Sequence, residues 1–282
     1  MAVARLLDRV AEASVLDRIA MPVRAAVTTV LRGRALRDLL HGVPFGHAVH
    51  PVLVQLPVGA WTSAAVLDLV PGQRRAADLL VAVGCAAAVP AATAGWADWS
   101  ALRPEQQRVG LVHAAGNVLA VGLYAASLVQ RGRGRRGVAR ALSYAGFAVA
   151  GGVAYVGGHL VYRQAAAVNH AAAVPYLAPT DWVRVGHLNE LPEHRLVARM
   201  ADRLPVCLYR DGEQVYALSD RCSHLSGPLH DGTVEDGVVT CPWHGSRFAL
   251  ADGDLAGGPA TAPQPAFDAR VRDGQVEVRY QR

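Results

Sequence analysis

Two short motifs near the C-terminus decide how this chain reads: Arg221-Cys222-Ser223-His224-Leu225-Ser226-Gly227-Pro228 and Cys241-Pro242-Trp243-His244-Gly245-Ser246-Arg247-Phe248. Sixteen residues lie between His224 and Cys241, a hairpin's worth of chain. Each motif carries one cysteine and one histidine, which bind metals as thiolate and neutral imidazole. A Cys2His2 zinc finger has a different order, with its cysteines together and its histidines together on a helix. Here Gly227, Pro228, Pro242 and Gly245 make both motifs loops. Two such pairs can hold two metal ions asymmetrically, and zinc stands as the competing occupant.

The pattern Cys-x-His-x16-Cys-x-x-His, with Pro242 after the second cysteine and Gly245-Ser246 after the second histidine, resembles the Rieske [2Fe–2S] family. The resemblance covers residues 181–282. It implies a [2Fe–2S] cluster with Cys222 and Cys241 on one iron and His224 and His244 on the other. Rieske proteins of cytochrome bc complexes join their two loops by a disulfide. The corresponding places here carry Gly227 or its neighbours and Trp243, so the loops resemble those of Rieske ferredoxins and oxygenases. Ser246 matches the hydroxyl that donates to a bridging sulfur in high-potential members, and Phe248 stands where those members carry a tyrosine. Fewer donors to sulfur stabilise the reduced cluster less. The implied potential lies low to middling in the Rieske range of about −150 to +300 mV.

The rest of the chain has another character. Its 282 residues suffice for two ordinary domains, and 52% of them are hydrophobic against 18% charged. All 28 basic residues are arginine. Of the two remaining cysteines, Cys85 lies in an apolar run and Cys207 in an expected strand. Both read as small buried hydrophobes, and no disulfide framework is expected.

Residues 1–45 are basic and amphipathic, with Leu6, Leu7 and Val10 at helical spacing among Arg5, Asp8, Arg9 and Glu12. No signal-peptide pattern is present. Two readings fit: helices lying on anionic lipid, or an ordinary solvated helical pair. Four uncharged runs follow, over 50–67, 79–97, 109–130 and 141–162. Each is close to the ~20 residues that cross a bilayer, which predicts a four-helix transmembrane bundle over 46–163. Pro57 and Pro90 are expected to kink the first two spans. Glycines 146, 151, 152, 157 and 158 thin the fourth for close packing.

Intramembrane histidines are costly and often functional. Counting alternate directions puts His50, His113 and His159 near one membrane face, the face from which the chain leaves for the C-terminal domain. Three roles compete for them: hydrogen-bonding glue, a quinone head-group pocket, or ligands to one haem b. Gly46-His47-Ala48-Val49-His50-Pro51, with Gly157-Gly158-His159-Leu160-Val161-Tyr162, resembles a bacterial four-span membrane family of unknown function, some members of which are fused to Rieske modules. Arginine clusters lie at both faces, 131–140 on one and 32–37, 103, 108 and 163 on the other. The positive-inside count therefore leaves both orientations open.

After a linker over 164–180, residues 181–282 alternate like short strands, at 195–200, 206–209, 214–218, 238–240, 267–271 and 275–280. Asp211-Gly212 and Asp273-Gly274 mark turns. The expected fold class is α + β and multidomain: a four-helix membrane bundle, then a small antiparallel β domain. His230 reads as a loop or surface histidine. The expected function is a membrane-anchored one-electron carrier of a bacterial plasma membrane, with quinol or haem as a link at the membrane. Its partners would be lipid and a redox protein, without nucleic acid. An electron-supplying subunit of an oxygenase system and a cluster-based redox sensor are the alternatives. The chain lacks a separate two-His-one-carboxylate iron domain, which argues against a complete oxygenase.

Overall fold

A computed structural model describes residues Ala2–Tyr280. The chain forms two compact units. One comprises the residues up to Gly33 together with Val49–Ala166; the other comprises Arg34–Ala48 together with the residues from Ala167 onward. Its helices are α1 (Ala2–Glu12), α2 (Asp17–Val30), α3 (Arg34–His41), α4 (His50–Leu53), α5 (Gln55–Leu67), α6 (Arg74–Ser100), α7 (Pro104–Gly132), α8 (Arg136–Tyr162) and α9 (Val174–Leu177).

Three helices, α6, α7 and α8, are long and apolar enough to cross a membrane. The first expected span is instead divided into α4 and α5, with Val54 between them. Pro57 accounts for the break. It has no N–H to donate to the carbonyl of Leu53, and its ring crowds that carbonyl. The 13 residues of α5 rise about 20 Å at ~1.5 Å each, short of a ~30 Å hydrocarbon core. Pro90, by contrast, lies inside the continuous α6.

Helices α5 to α8 form a ring in which α5 and α7 each neighbour both α6 and α8. Across this ring the two hairpins α4–α5/α6 and α7/α8 meet through matched positions. Trp61 of α5 stacks on Tyr124 of α7, with ring centroids 4.2 Å apart and planes 10° from parallel. One helical stretch further on, Asp68 pairs with Arg131. Both pairs are separated by 63 residues, as are His50 and His113. The second helix of each hairpin repeats at an interval of 62. Gly84 of α6 lies under the Trp61 ring, where a Cβ would collide with it, and Gly146 of α8 lies 3.0 Å under Tyr124 by the same measure. The helical unit is thus an internal repeat folded about a pseudo-twofold axis.

At one end of that axis, charge is buried. The Arg131 and Asp68 side chains are 2% and 4% exposed. Arg131 also donates to Asp78 at 2.7 Å, Ser127 at 3.2 Å and Ser143 at 3.1 Å. Each buried charge has partners, which offsets its loss of water.

The N-terminal helices use their apolar face inside this unit. Leu7, Ala11 and Ala20 are buried in one cluster with Trp99, Leu102, Val109 and Leu160. Arg108 grips Asp17 with two bonds of 2.8 and 2.7 Å and donates to the Ala11 carbonyl. Arg163 grips Asp8 in the same forked way at 2.9 and 2.7 Å, the geometry that favours arginine over lysine. Val3, Leu6, Val15, Ile19 and Met21 remain exposed on the other side.

The second unit is antiparallel β structure: β1 (Val183–His187), β2 (Leu196–Ala201), β3 (Leu204–Asp211), β4 (Gln214–Ser219), β5 (Thr233–Glu235), β6 (Val238–Thr240), β7 (Arg247–Ala249), β8 (Leu255–Gly257), β9 (Ala266–Arg272) and β10 (Gln275–Tyr280). A six-stranded sheet runs β1-β10-β9-β4-β3-β2 and a four-stranded sheet runs β5-β6-β7-β8. Val206, Leu208, Ala217, Phe267, Val276 and Val278 fill one core, joined by Ala171 and Val174 from the linker. Cys207, Leu218, Leu229, Val239 and Phe248 fill a second, under the cysteine-histidine loops.

Replacing Arg131 by leucine leaves the buried Asp68 carboxylate with only a 3.8 Å contact to the half-exposed Arg140. The expected loss is roughly 3–5 kcal/mol of unfolding free energy in detergent. Arg136, a third exposed and paired with Asp78, is expected to cost under about 1 kcal/mol when replaced by leucine. Equal losses for the two variants would contradict the buried-charge account.

Candidate metal centre

Two loops of the second unit carry the four expected ligands. The first leaves β4 and leads to β5; the second joins β6 to β7. Both close by the same pair of backbone bonds. Cys222 N–H donates to Gly227 O at 2.9 Å while Ser226 N–H donates back to Cys222 O at 2.8 Å. Cys241 N–H donates to Ser246 O at 2.8 Å while Gly245 N–H donates to Cys241 O at 3.1 Å. The fourth residue after each cysteine has a left-handed backbone, Ser226 at φ 62° and Gly245 at φ 76°. Each loop therefore has the same shape, although its histidine stands two residues after Cys222 in one and three after Cys241 in the other.

The loops bring their side chains together. The Cys222 and Cys241 thiols share a hydrogen bond, and the rings of His224 and His244 are 5.1 Å apart, edge to face. All four cysteines of the chain are free thiols, and both in the loops are buried. Among the described residues, no three His, Cys, Asp or Glu side chains converge as the shell of a single ion. The arrangement is two thiols beside two imidazoles. One detail tests its fit to a metal centre: Nδ1 of His224 is buried and has no hydrogen-bond partner. A buried polar atom without a partner costs about 1–3 kcal/mol, and coordination to a metal would satisfy it.

The electrostatics suit ligation. Burial first, then His244, His41 and His170 nearby, pushes the His224 imidazolium down to about 3, so the ring is neutral at physiological pH. The shared hydrogen bond lowers the Cys241 thiol below the usual thiol range, with help from the backbone N–H groups of Trp243 and His244. The same bond, together with burial, holds the remaining proton on Cys222 well above the usual thiol range. Burial alone is the chief cause of the raised Cys207 thiol, which packs as an inert core residue.

A third loop locks the first. Gln264, 1% exposed, donates to Ser219 O and Arg221 O at 2.7 Å each and accepts Ser223 N–H at 2.9 Å. Ser246 accepts Ala260 N–H at 3.0 Å and its hydroxyl hydrogen-bonds the Cys222 sulfur. Gly227 lies so close to the second loop that a Cβ there would stand 3.0 Å from both the Cys241 sulfur and the Trp243 ring. The two places where a bridging disulfide was considered are thus in contact, glycine against tryptophan.

Several partners escaped the sequence reading. His230 is fixed by Asp220, which accepts its Nδ1–H at 2.8 Å and its backbone N–H at 2.9 Å. Helix α3 belongs to this unit: Asp38 accepts Gly258 N–H at 3.1 Å, and buried His41 lies within electrostatic reach of His224, as does His170. No spacing in the sequence signals the contacts of α3 and His170, because they join chain segments far apart.

The three histidines of the helical unit have different neighbours. His50 and His113 lie within electrostatic reach of each other. His159 is buried, with Nε2 3.7 Å from Asp8.

Comparison with known proteins agrees with this geometry. Residues 181–268 match the Rieske [2Fe-2S] domain family, and residues 46–170 match the family described as predicted membrane protein (DUF2231). The anthranilate 1,2-dioxygenase ferredoxin subunit of Burkholderia cepacia is 37% identical over 98 residues, which are 35% of this chain and 91% of that one. Ferredoxin CarAc of Metapseudomonas resinovorans is 39% identical over 74 residues, 26% of this chain and 69% of that one. The solved ferredoxin of carbazole 1,9a-dioxygenase from Nocardioides aromaticivorans IC177 aligns with a TM-score of 0.34 at 31% identity, over 36% of this chain and 98% of that one.

Two substitutions probe the centre. Gln264→Leu leaves buried groups unpaired beside Cys222, so stability should fall by roughly 2–4 kcal/mol, with faster bleaching of the cluster in denaturant. Ser246→Ala removes one donor to sulfur, worth ~1 kcal/mol, and should lower the midpoint potential by on the order of 40 mV at 59 mV per decade. An unchanged midpoint would mean the hydroxyl does not act on the sulfur.

Proposed function

The chain belongs to the Rieske [2Fe–2S] family, and from that premise we propose that it is a membrane-anchored one-electron carrier. Cys222 and Cys241 hold one iron, and His224 and His244 hold the other. The observation that carries this assignment is the buried, partnerless Nδ1 of His224 beside a contacting thiol pair. A bound [2Fe–2S] cluster takes up and releases one electron at a time. The protein's own part is to hold two thiolates in a dry pocket and to bring two imidazoles toward the surface. Pro242, Trp243 and Gly245 around His244 are exposed, Trp243 by 50%. They form the surface against which a redox partner protein docks, with electrons passing by way of the imidazole side.

The anchor is the helical unit, in a bacterial plasma membrane. We read α4–α5 as the first of four spans, although it is short. The repeat supports this, since α4–α5 stands to α6 as α7 stands to α8. A haem or quinol is the redox partner of the membrane unit. A second reading has a specific observation in its favour. The relatives named as ferredoxin subunits belong to dioxygenases, so service as the electron-supplying component of an oxygenase system fits the same loops.

Purified protein is expected to contain two iron and two inorganic sulfide per chain, with the Rieske electron paramagnetic resonance (EPR) signal on reduction. His224→Cys and His244→Cys should each abolish that signal. Its persistence in either variant would refute the ligand assignment, and zinc in place of iron would overturn the carrier reading altogether.

A further inference from the structure

We propose that His50 and His113 are the two axial ligands of one non-covalently bound haem on the pseudo-twofold axis of the membrane unit. This deepens the carrier reading and rests on it for its redox role. Three observations lead to the site.

The first is symmetry. His50 and His113 occupy equivalent positions of the repeat, 63 residues apart. The equivalent pairs further along the chain, on α5 and α7 or at their ends, meet across the axis as the Trp61–Tyr124 stack and the Asp68–Arg131 ion pair. His50 and His113 are the corresponding pair at the opposite end, each within electrostatic reach of the other.

The second is the state of the rings. Nδ1 of His50 lies 2.8 Å from the carbonyl of Ala91, and Nδ1 of His113 lies 3.1 Å from the carbonyl of Val153. A carbonyl only accepts, so each Nδ1 carries a proton, and in the neutral ring the lone pair then lies on Nε2. This is the tautomer of a metal-ligating histidine, with its other nitrogen fixed by a backbone carbonyl. Ala91 and Val153 are themselves equivalent, 62 residues apart.

The third is the seat. Four residues after each of those carbonyls comes a glycine, Gly95 and Gly157. A Cβ there would stand 2.9 Å from Cε1 of His50 and 3.0 Å from Cε1 of His113. Both rings lie close against backbone, and a Cβ at either glycine would press on them.

Two equivalent imidazoles with free Nε2 lone pairs match the two faces of a planar iron porphyrin. The chain has no Cys-x-x-Cys-His run, so the porphyrin is held by ligation and packing, as a b-type haem. His159 takes no part, because it faces Asp8.

The test uses the full chain, expressed with added iron protoporphyrin and purified from membranes in detergent. The expected result is a Soret band, one haem per chain by pyridine haemochrome, and a low-spin bis-imidazole EPR signal in the wild type. His50→Ala and His113→Ala should each lose the low-spin signal, while His159→Ala keeps it. Absence of haem from wild-type protein, a high-spin wild-type signal, or a low-spin signal that survives both single substitutions would overturn the proposal. The Rieske signal of the same samples reports separately. Its presence without haem leaves the carrier reading intact, and its absence beside an intact haem signal sinks that reading alone.

Discussion

The centre depends on a constraint of the backbone: two loops of different histidine spacing must present the same concave shape. Each does so through a cysteine whose N–H and C=O are both tied within its own turn. The sulfur is then pinned before any metal arrives, and the cost of ordering the loop is met by backbone bonds and by Gln264. Ligands held this way need little rearrangement when the oxidation state changes, which suits electron transfer. The partnerless nitrogen of His224 is a tension that such rigidity tolerates.

The helical unit solves a related problem by doubling. Two layers use one residue from each half: tryptophan with tyrosine, and aspartate with arginine. Glycines at equivalent places on α6 and α8 give Trp61, Tyr124, His50 and His113 their room. An apolar solvent rewards close helix packing and satisfied polar groups more than hydrophobicity, and these layers provide both.

How much of this could be read from the chain differs by region. The cluster loops were legible because ligand chemistry restricts residue type and spacing together: Cys222, His224, Cys241 and His244 do come to one place. Strands of alternating character, such as β4 and β10, were visible, whereas β5, β7 and β8, three residues each, were too short to show a period. The division of the first expected span turns on a single ring, Pro57, against a carbonyl four residues back. The repeat stayed hidden because its halves are complementary rather than alike. Trp61 answers to Tyr124 and Asp68 to Arg131, so few identities mark it. The attachment of α3 through Asp38 and Gly258 was not visible either, since a backbone N–H leaves no trace in residue identity.

The Asp68–Arg131 pair has a bearing on ancestry. A hairpin that met a second copy of itself across a true dyad would set aspartate against aspartate or arginine against arginine, and buried like charges repel. Once gene duplication joins both copies in one polypeptide, the facing positions are released from identity and can take opposite signs. Fusion thus opens a route to a buried ion pair that no homodimer of the same hairpin can reach, and the tryptophan-tyrosine layer has used the same freedom.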